Sequence, residues 1–382
     1  MRVDAVIVGG GIAGLWLARL LSGRGYAVVL LEADALGGSQ TLASQGMIHG
    51  GLKYALSGSL SGASEAIADM PRRWARCLDG DGEIDLRGLA PLSQRYYMFA
   101  AHSTLGRLTT FFASRALRGR IERLAPADYP PALADPGFRG VVYALNDFVL
   151  DTPALLDALL DGVADRVYRY AVQPQDVERC EQGIRVAIPG GRLLASRLVL
   201  TAGAGSQSLL EHLGIDQPRM QLRPLHQVVV RHAYPHPLYA HCLTGIRRPE
   251  PRLTITSHCD GDGWLWYLGG QIASDGVTMS AEELAAHARK ELQTCLPWID
   301  WRDARVSTLR IDRAEPEQDG GRRPDEAFAA AAGDCIVAWP TKLSLVPDLG
   351  DKVLDLLPAP QCSPAPPLEL PRAAVGRVPW AT

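Results

Sequence analysis

The chain opens on an apolar run, residues 3–8, broken only by Asp4 and closed by Gly9, Gly10 and Gly11. A short continuous run bounded by turn residues predicts a buried strand. Between Ile12 and Ser22 the apolar residues Leu15, Leu17, Ala18, Leu20 and Leu21 share the stretch with Arg19, which predicts a helix with one outer polar face. Residues 26–31 form a second buried strand ending at Glu32, so the chain begins β-α-β. Residues 36–58 are rich in Gly and Ser without a period and read as loop. A helix is predicted over 61–77, a strand over 95–101 and a helix with basic residues on one side over 104–124. Asp151-Thr152-Pro153 starts another helix, with an acidic cap and proline in the first turn. Short strands follow at 166–170, 184–188, 192–195 and 197–202. Residues 221–230, 252–257 and 264–272 alternate like strands of a second sheet. Ser280 with Glu283 three residues later opens a helix over 280–295 in a capping-box pattern. A strand is predicted over 334–339 and a helix over 347–357. The seven prolines of residues 358–382 exclude a helix or central strand and predict disorder or an extended arm lying on the body.

Composition narrows the classes. At 382 residues, two domains or one large one are expected. With 47% hydrophobic and 21% charged residues the chain can bury a sizeable core. Its 39 basic against 42 acidic residues argue against a nucleic-acid binder. The seven cysteines form no Cys-x-x-Cys pair, so neither a disulfide framework nor a metal site is expected, and a cytoplasmic location fits. The first apolar run is too short for a signal peptide, and no run of about 18 apolar residues predicts an integral membrane segment. Only Lys53, Lys290, Lys342 and Lys352 are lysines, the other basic residues being Arg, as codon bias in a GC-rich genome would produce.

Gly9, Gly11 and Gly14 form G-x-G-x-x-G after a strand and at the opening of a helix, and the next strand ends at Glu32, beside Ala33. That context makes the motif a dinucleotide site. Gly9 permits the tight turn, Gly11 lets the backbone approach a pyrophosphate, and Gly14 brings helix and strand together. The helix N-terminus at Ile12 and Ala13 points N–H groups at the phosphates. Glu32 would accept hydrogen bonds from ribose hydroxyls, which fits NAD or FAD. The N-terminal position and the later segment L-V-L-T-A-G-A-G-S (198–206) favour FAD.

On these residues the chain resembles the D-amino-acid oxidase-like superfamily of FAD-dependent oxidoreductases. The resemblance implies an α/β protein with a Rossmann-type FAD-binding domain and a second, mixed β-sheet substrate domain. The FAD domain would draw on residues 1–85, 146–215 and 326–357, the substrate domain on 86–145 and 216–325, with 358–382 as a tail. Thr201-Ala202-Gly203 stands where the family returns its chain to the cofactor, which places Ala202 and Gly203 beside FAD. Residues 44–54, S-Q-G-M-I-H-G-G-L-K-Y, resemble the flavin-facing loop of FAD-linked glycerol-3-phosphate and L-2-hydroxyglutarate dehydrogenases, matching at Gly46, Ile48, His49, Gly51 and Tyr54. Carried over, Ser44 and Gln45 would bond phosphate or ribityl oxygens, Gly50 and Gly51 would offer N–H groups to the ring, and Leu52 would line the cofactor. His49 would be a base or a fixed donor near the reaction centre, or, as in some relatives, a covalent link to the flavin. In residues 339–349, Lys342, Leu343 and Ser344 match the Lys-Leu-Thr of the final flavin segment. That implies a cation and a helix N-terminus at the edge of the ring that gains charge on reduction.

On the substrate side, His226 stands where relatives have an Arg. The catalytic candidates are His49, His226, Lys342 and Arg310, either imidazole being a plausible base. The substrate candidates are Lys53, Tyr267 as a roof, and Arg310 and Arg313 as bidentate holders of a carboxylate or phosphate. The expected reaction is hydride transfer from a small CH–OH donor to flavin, with oxygen, quinone or a protein as acceptor. An amine oxidase is the alternative. A flavin monooxygenase is a further one, since Gly333-Asp334 and Pro340 are similar to its late motif, although the usual histidine is absent. A non-catalytic FAD-binding protein is the reading from another class.

Overall fold

The computed structural model describes residues 1–51, 67–101, 121–243, 251–261, 263–322, 324–364 and 366–381. In chain order the elements are β1 (Arg2–Val8), α1 (Ile12–Gly23), β2 (Val28–Glu32), β3 (Met47–Ile48), α2 (Met70–Asp79), β4 (Tyr96–Ala101), β5 (Ile121–Arg123), β6 (Gly140–Leu145), β7 (Phe148–Val149) and α3 (Thr152–Leu160). There follow β8 (Val167–Arg169), β9 (Val177–Cys180), β10 (Gly183–Ile188), β11 (Gly191–Leu200), α4 (Ser206–His212), β12 (Met220–His232), β13 (Ala240–Leu243), β14 (Leu253–Asp260) and β15 (Gly263–Gly269). The chain continues through α5 (Gln271–Asp275), α6 (Ala281–Cys295), β16 (Arg305–Pro316), β17 (Phe328–Ala332), β18 (Cys335–Trp339) and α7 (Val346–Leu356).

Two large sheets organise these elements. The first has the order β17-β18-β11-β1-β2-β8, with β9 and β10 attached to β11. Its central strands β18, β11, β1, β2 and β8 are parallel. Covered on both faces, their central stretches are apolar: Ala5, Val6, Ile7, Leu30, Leu31, Val199 and Ile336 are fully buried. Helices α1, α3 and α7 pack on one face around Trp16, Leu155 and Leu349. From β1 the chain crosses to β2 on one side, while β11 pairs on the other. A crevice therefore opens beyond the carboxyl end of β1, the place where parallel sheets bind ligands. The second sheet, β16-β12-β15-β14-β13-β4-β6-β5, is antiparallel except for the β13–β4 pair. Helix α6 closes its core by burying Leu284, Ala288 and Leu292. No helix among the described residues is long and apolar enough to cross a membrane.

Several predicted elements differ. Residues 192–195 and 197–202 are one strand, β11, because Ser196 needs no turn between two paired stretches. Most of the helix predicted over 104–124 lies outside the described residues, and its end, Ile121–Arg123, is strand β5 paired with β6. Strands β3, β6, β7, β9, β13, β16 and β17 were not expected. Both β9 and β16 carry charges on a partly solvated face, which masks the apolar alternation. The predicted caps are in place. Asp151 accepts from Ala154 N–H, and Ser280 and Glu283 exchange reciprocal bonds. The proline-rich tail is the extended arm. Leu36 N–H donates to Ala374 O and Gly376 N–H to Leu36 O, while Arg169 N–H donates to Pro371 O.

Candidate functional site

A cleft of about 660 Å³ runs from Glu32 to Lys342 between the carboxyl edge of the first sheet and the β12–β16 face of the second. At one end the fingerprint turn is fixed by contacts that leave no room for side chains. Gly9 has φ +105°, and a Cβ there would lie 2.5 Å from Ala202 Cα. A Cβ on Gly14 would overlap the Gly9 carbonyl, so helix and strand meet closer than any other residue permits. Thr201 locks the turn from β11, its hydroxyl lying 2.8 Å from Gly9 O and 3.1 Å from Val8 O. Gly11 lines the cleft, with only Thr41 Oγ1 near a prospective Cβ. Ile12 N–H is already donated to Thr41 Oγ1, at 3.1 Å. Ala13 and Gly14 N–H, in the first helical turn, have no intrahelical acceptor. Glu32 is held by two backbone donors, Gly10 N–H to Oε2 at 2.5 Å and Asp34 N–H to Oε1 at 3.0 Å. A carboxylate accepts about four hydrogen bonds, so capacity remains for a ribose diol.

The loop of residues 44–51 forms the middle of the cleft. Ser44, Gln45, Gly46 and His49 line it, and Gly46 (φ +67°) packs where a Cβ would overlap Leu150 O. The Gln45 amide is committed elsewhere. Its nitrogen donates to Thr254 O at 3.0 Å and Tyr267 O at 2.9 Å, which ties the loop to the second sheet. The two N–H groups expected to face the ring are also committed, Gly50 N–H to Asp147 Oδ1 and Gly51 N–H to His49 Nδ1. Because His49 Nδ1 accepts, the neutral ring keeps its hydrogen on Nε2. Leu52 and Lys53 lie outside the described residues.

At the far end, Thr341 takes φ +59°, uncommon for a non-glycine residue, and turns the chain after β18. Lys342 and Leu343 line the cleft. The Lys342 ammonium donates to the carbonyls of Pro324 and Asp325, at 3.1 and 2.7 Å. Ser344 is fully buried and does not reach the cleft. Its hydroxyl accepts from His49 N–H at 2.9 Å and lies 3.3 Å from Met47 O, so it braces the loop from behind.

The second sheet supplies the opposite wall. In the β12–β16 ladder Gln221 stands beside Glu315, Arg223 beside Arg313, and Leu225 beside Ile311. Arg223, Leu225, Gln227, Ile311, Arg313 and Glu315 all face the cleft. Glu315, 1% exposed, receives Arg223 through both oxygens, at 2.5 and 3.0 Å. Arg223, Glu315, Gln227 and Thr41 were not anticipated. The signal for Arg223 was available in the period-2 alternation of residues 221–227. Three anticipated residues of the second sheet, like Ser344, are not brought to the cleft. His226 is buried on the other side of β12, with Nδ1 2.9 Å from Gly276 O. Arg310 is exposed and donates to Val277 O and Met279 O. Tyr267 is fully buried, its hydroxyl near Ala43 O and Gln227 Oε1.

A pinned acidic residue at one end, side-chain-free glycines beneath a helix N-terminus and a long groove between two sheets define a dinucleotide-dependent oxidoreductase. The chain belongs to the DAO family of FAD-dependent oxidoreductases, matching it over residues 4–330, and its cofactor is FAD. It is 50% identical over 358 residues to a "probable FAD-dependent oxidoreductase" of Pseudomonas aeruginosa, covering 92% of this chain and 90% of that one. The crystal structure of that protein matches with a TM-score of 0.84, covering 100% of this chain and 98% of the other at 44% identity. A 66-residue segment, 17% of this chain and 13% of the other, is 41% identical to the aerobic glycerol-3-phosphate dehydrogenase of Escherichia coli. Glycine oxidase from Geobacillus kaustophilus shares the fold, with a TM-score of 0.66 at 19% identity over 95% of this chain and 96% of that one.

Proposed function

We propose that the enzyme oxidises a small, anionic CH–OH donor, a 2-hydroxy acid or a glycerol-phosphate-like polyol. FAD bound in the cleft would supply the hydride acceptor. The observation that carries this reading is His49 on the cleft wall, in a loop that resembles the hydroxyl-oxidising relatives, opposite the paired Arg223 and Arg313. Arg313 would hold the donor's carboxylate or phosphate, while Arg223 neutralises Glu315 and so keeps that carboxylate from repelling the anion. His49 exchanges the hydroxyl proton. With Gly51 N–H donating to Nδ1 the ring hydrogen sits on Nε2, so taking the hydroxyl proton at Nε2 would require that hydrogen to move to Nδ1 and the 3.2 Å contact from Gly51 N–H to break. Lys342, held by two carbonyls, keeps a cation at the far end of the cleft.

An amine donor is the second reading. An Arg-lined wall serves an amino acid's carboxylate equally well, and the glycine oxidase fold is similar. An anaerobic screen of the FAD-loaded enzyme decides between them. Bleaching of the flavin band by glycerol 3-phosphate or L-2-hydroxyglutarate, and not by amino acids, is expected. Bleaching by amino acids alone overturns the hydroxyl reading, and bleaching by NADPH would instead mark a monooxygenase.

A further inference from the structure

The arm of residues 366–381 packs against both of the sheets that wall the cleft. At one end, Ala374 and Gly376 bracket Leu36 with two backbone hydrogen bonds, and Leu36 sits in the loop that follows Glu32. Gly376 lies where a Cβ would be 3.0 Å from Leu42 and 3.3 Å from Ala35, so the arm is fitted closely to that loop. Upstream, Arg372 stacks over the Tyr168 ring at 4.4 Å. At the other end, Trp380 leaves the first sheet and lands on the second. Its ring packs at 4.5 Å from Tyr267 and 4.8 Å from His258, centroid to centroid. Val378, Val229, Leu265 and Leu309 complete the apolar contact. Arg231 fixes the backbone there, donating to Trp380 O at 2.6 Å and to Asp260 at 2.7 Å.

Tyr267 is the relay. Its hydroxyl lies 2.8 Å from the carbonyl of Ala43, which lines the cleft just before Ser44, and 2.6 Å from Oε1 of Gln227, on the opposite wall. Its backbone carbonyl takes the Gln45 amide. One ring thus sets the spacing between the flavin-facing loop and the β12 wall, and Trp380 is the surface against which that ring rests. We propose that Trp380 is a positioning residue for the cofactor, acting through Tyr267 on Ala43, Gln45 and Gln227. The proposal rests on the family's cofactor and not on the class of donor, so the bleaching screen leaves it standing in either outcome.

The test compares FAD-loaded wild type with Trp380→Ala and Trp380→Phe. Two readouts are taken: the visible absorption spectrum of the bound flavin, and the rate of FAD release, followed as free-flavin fluorescence after dilution. Trp380→Ala is expected to release FAD about tenfold faster, the scale of one lost hydrogen bond, and to shift the flavin band. Trp380→Phe, which keeps an aromatic face, is expected to restore both. A Trp380→Ala protein that melts earlier but has the wild-type spectrum and release rate overturns the proposal. Should Trp380→Ala not fold, Tyr267→Phe keeps the ring and removes only the hydroxyl. It must show the same spectral shift and faster release, and an unchanged spectrum and rate again overturn the proposal.

Discussion

Glu32 is a single carboxylate with two jobs, closing the fingerprint turn through Gly10 and facing the cleft. Charge-assisted hydrogen bonds are worth about 1.5–3 kcal/mol each. Glu32→Ala should therefore weaken FAD retention by about ten- to a hundredfold, read by fluorescence titration of the apoprotein, and unchanged affinity would remove Glu32 from the ribose site. His49→Asn should lower kcat by about a hundredfold or more while leaving bound FAD in place, since general acid–base groups contribute on that scale. Equal rates in wild type and variant across pH would exclude His49 from proton transfer. His258 carries a different kind of prediction. Burial pushes its pKa down to about 4 from an ordinary 6.5, so it folds neutral. Between pH 6.5 and 4 the unfolded chain takes up a proton there and the folded chain does not. Stability therefore falls as pH falls through that window, by at most about 1.4 kcal/mol per pH unit, and this residue contributes no slope above it. Urea midpoints between pH 7 and 4 should show that slope, and it should lessen in His258→Asn, the remainder coming from His232, which burial also pushes down to about 4.

At the scale of elements, the β12–β16 ladder turns sequence alternation into a binding wall. Its buried ion pair predicts an asymmetry. Arg223→Leu takes both guanidinium donors from the Glu315 carboxylate and leaves it, at 1% exposure, with the Gln221 amide at 3.1 Å, which should cost about 3 kcal/mol in urea unfolding. Adding Glu315→Leu should recover part of that loss, and a double variant no better than Arg223→Leu would show that the carboxylate is not the source. The same ladder marks where sequence reading stops. The β1–α1–β2 unit was legible because glycines, apolar runs and Glu32 act within about 30 residues of one another. Lys342, Leu343 and the His49 loop were legible as motifs, and they do meet at the cleft. Which side of a strand faces the ligand was not, as His226 and Gln227 show: adjacent residues, one buried against Gly276 and the other on the wall. Nor could motif matching reveal that the Gly50 and Gly51 N–H groups are satisfied locally, since Asp147 comes from 97 positions away.

Across the whole molecule, specific contacts join the two sheets. Gln45 bonds to β14 and β15, Tyr267 reaches back to Ala43, and the arm crosses from Leu36 to Trp380. Gln45→Ala removes the amide that holds the loop to the second sheet while leaving the fingerprint turn intact. It should lower FAD affinity only a few-fold but raise KM for the donor, because donor geometry depends on the spacing between the sheets. A variant with an unaltered KM would mean that the other contacts suffice to set the spacing.

The wall order of the first sheet has a consequence for biosynthesis. Strand β1 needs β11, and β11 needs β18, so the cofactor groove takes shape from residues near 10, 200 and 340. A growing chain emitted from the ribosome would expose the open edge of β1 until roughly half its length has appeared, and would lack the Lys342 end for longer still. Cofactor capture is thus a late event in the life of the nascent protein. Non-local pairing of this kind slows folding, and during the wait chaperones, rather than FAD, are what can shield the unpaired edge.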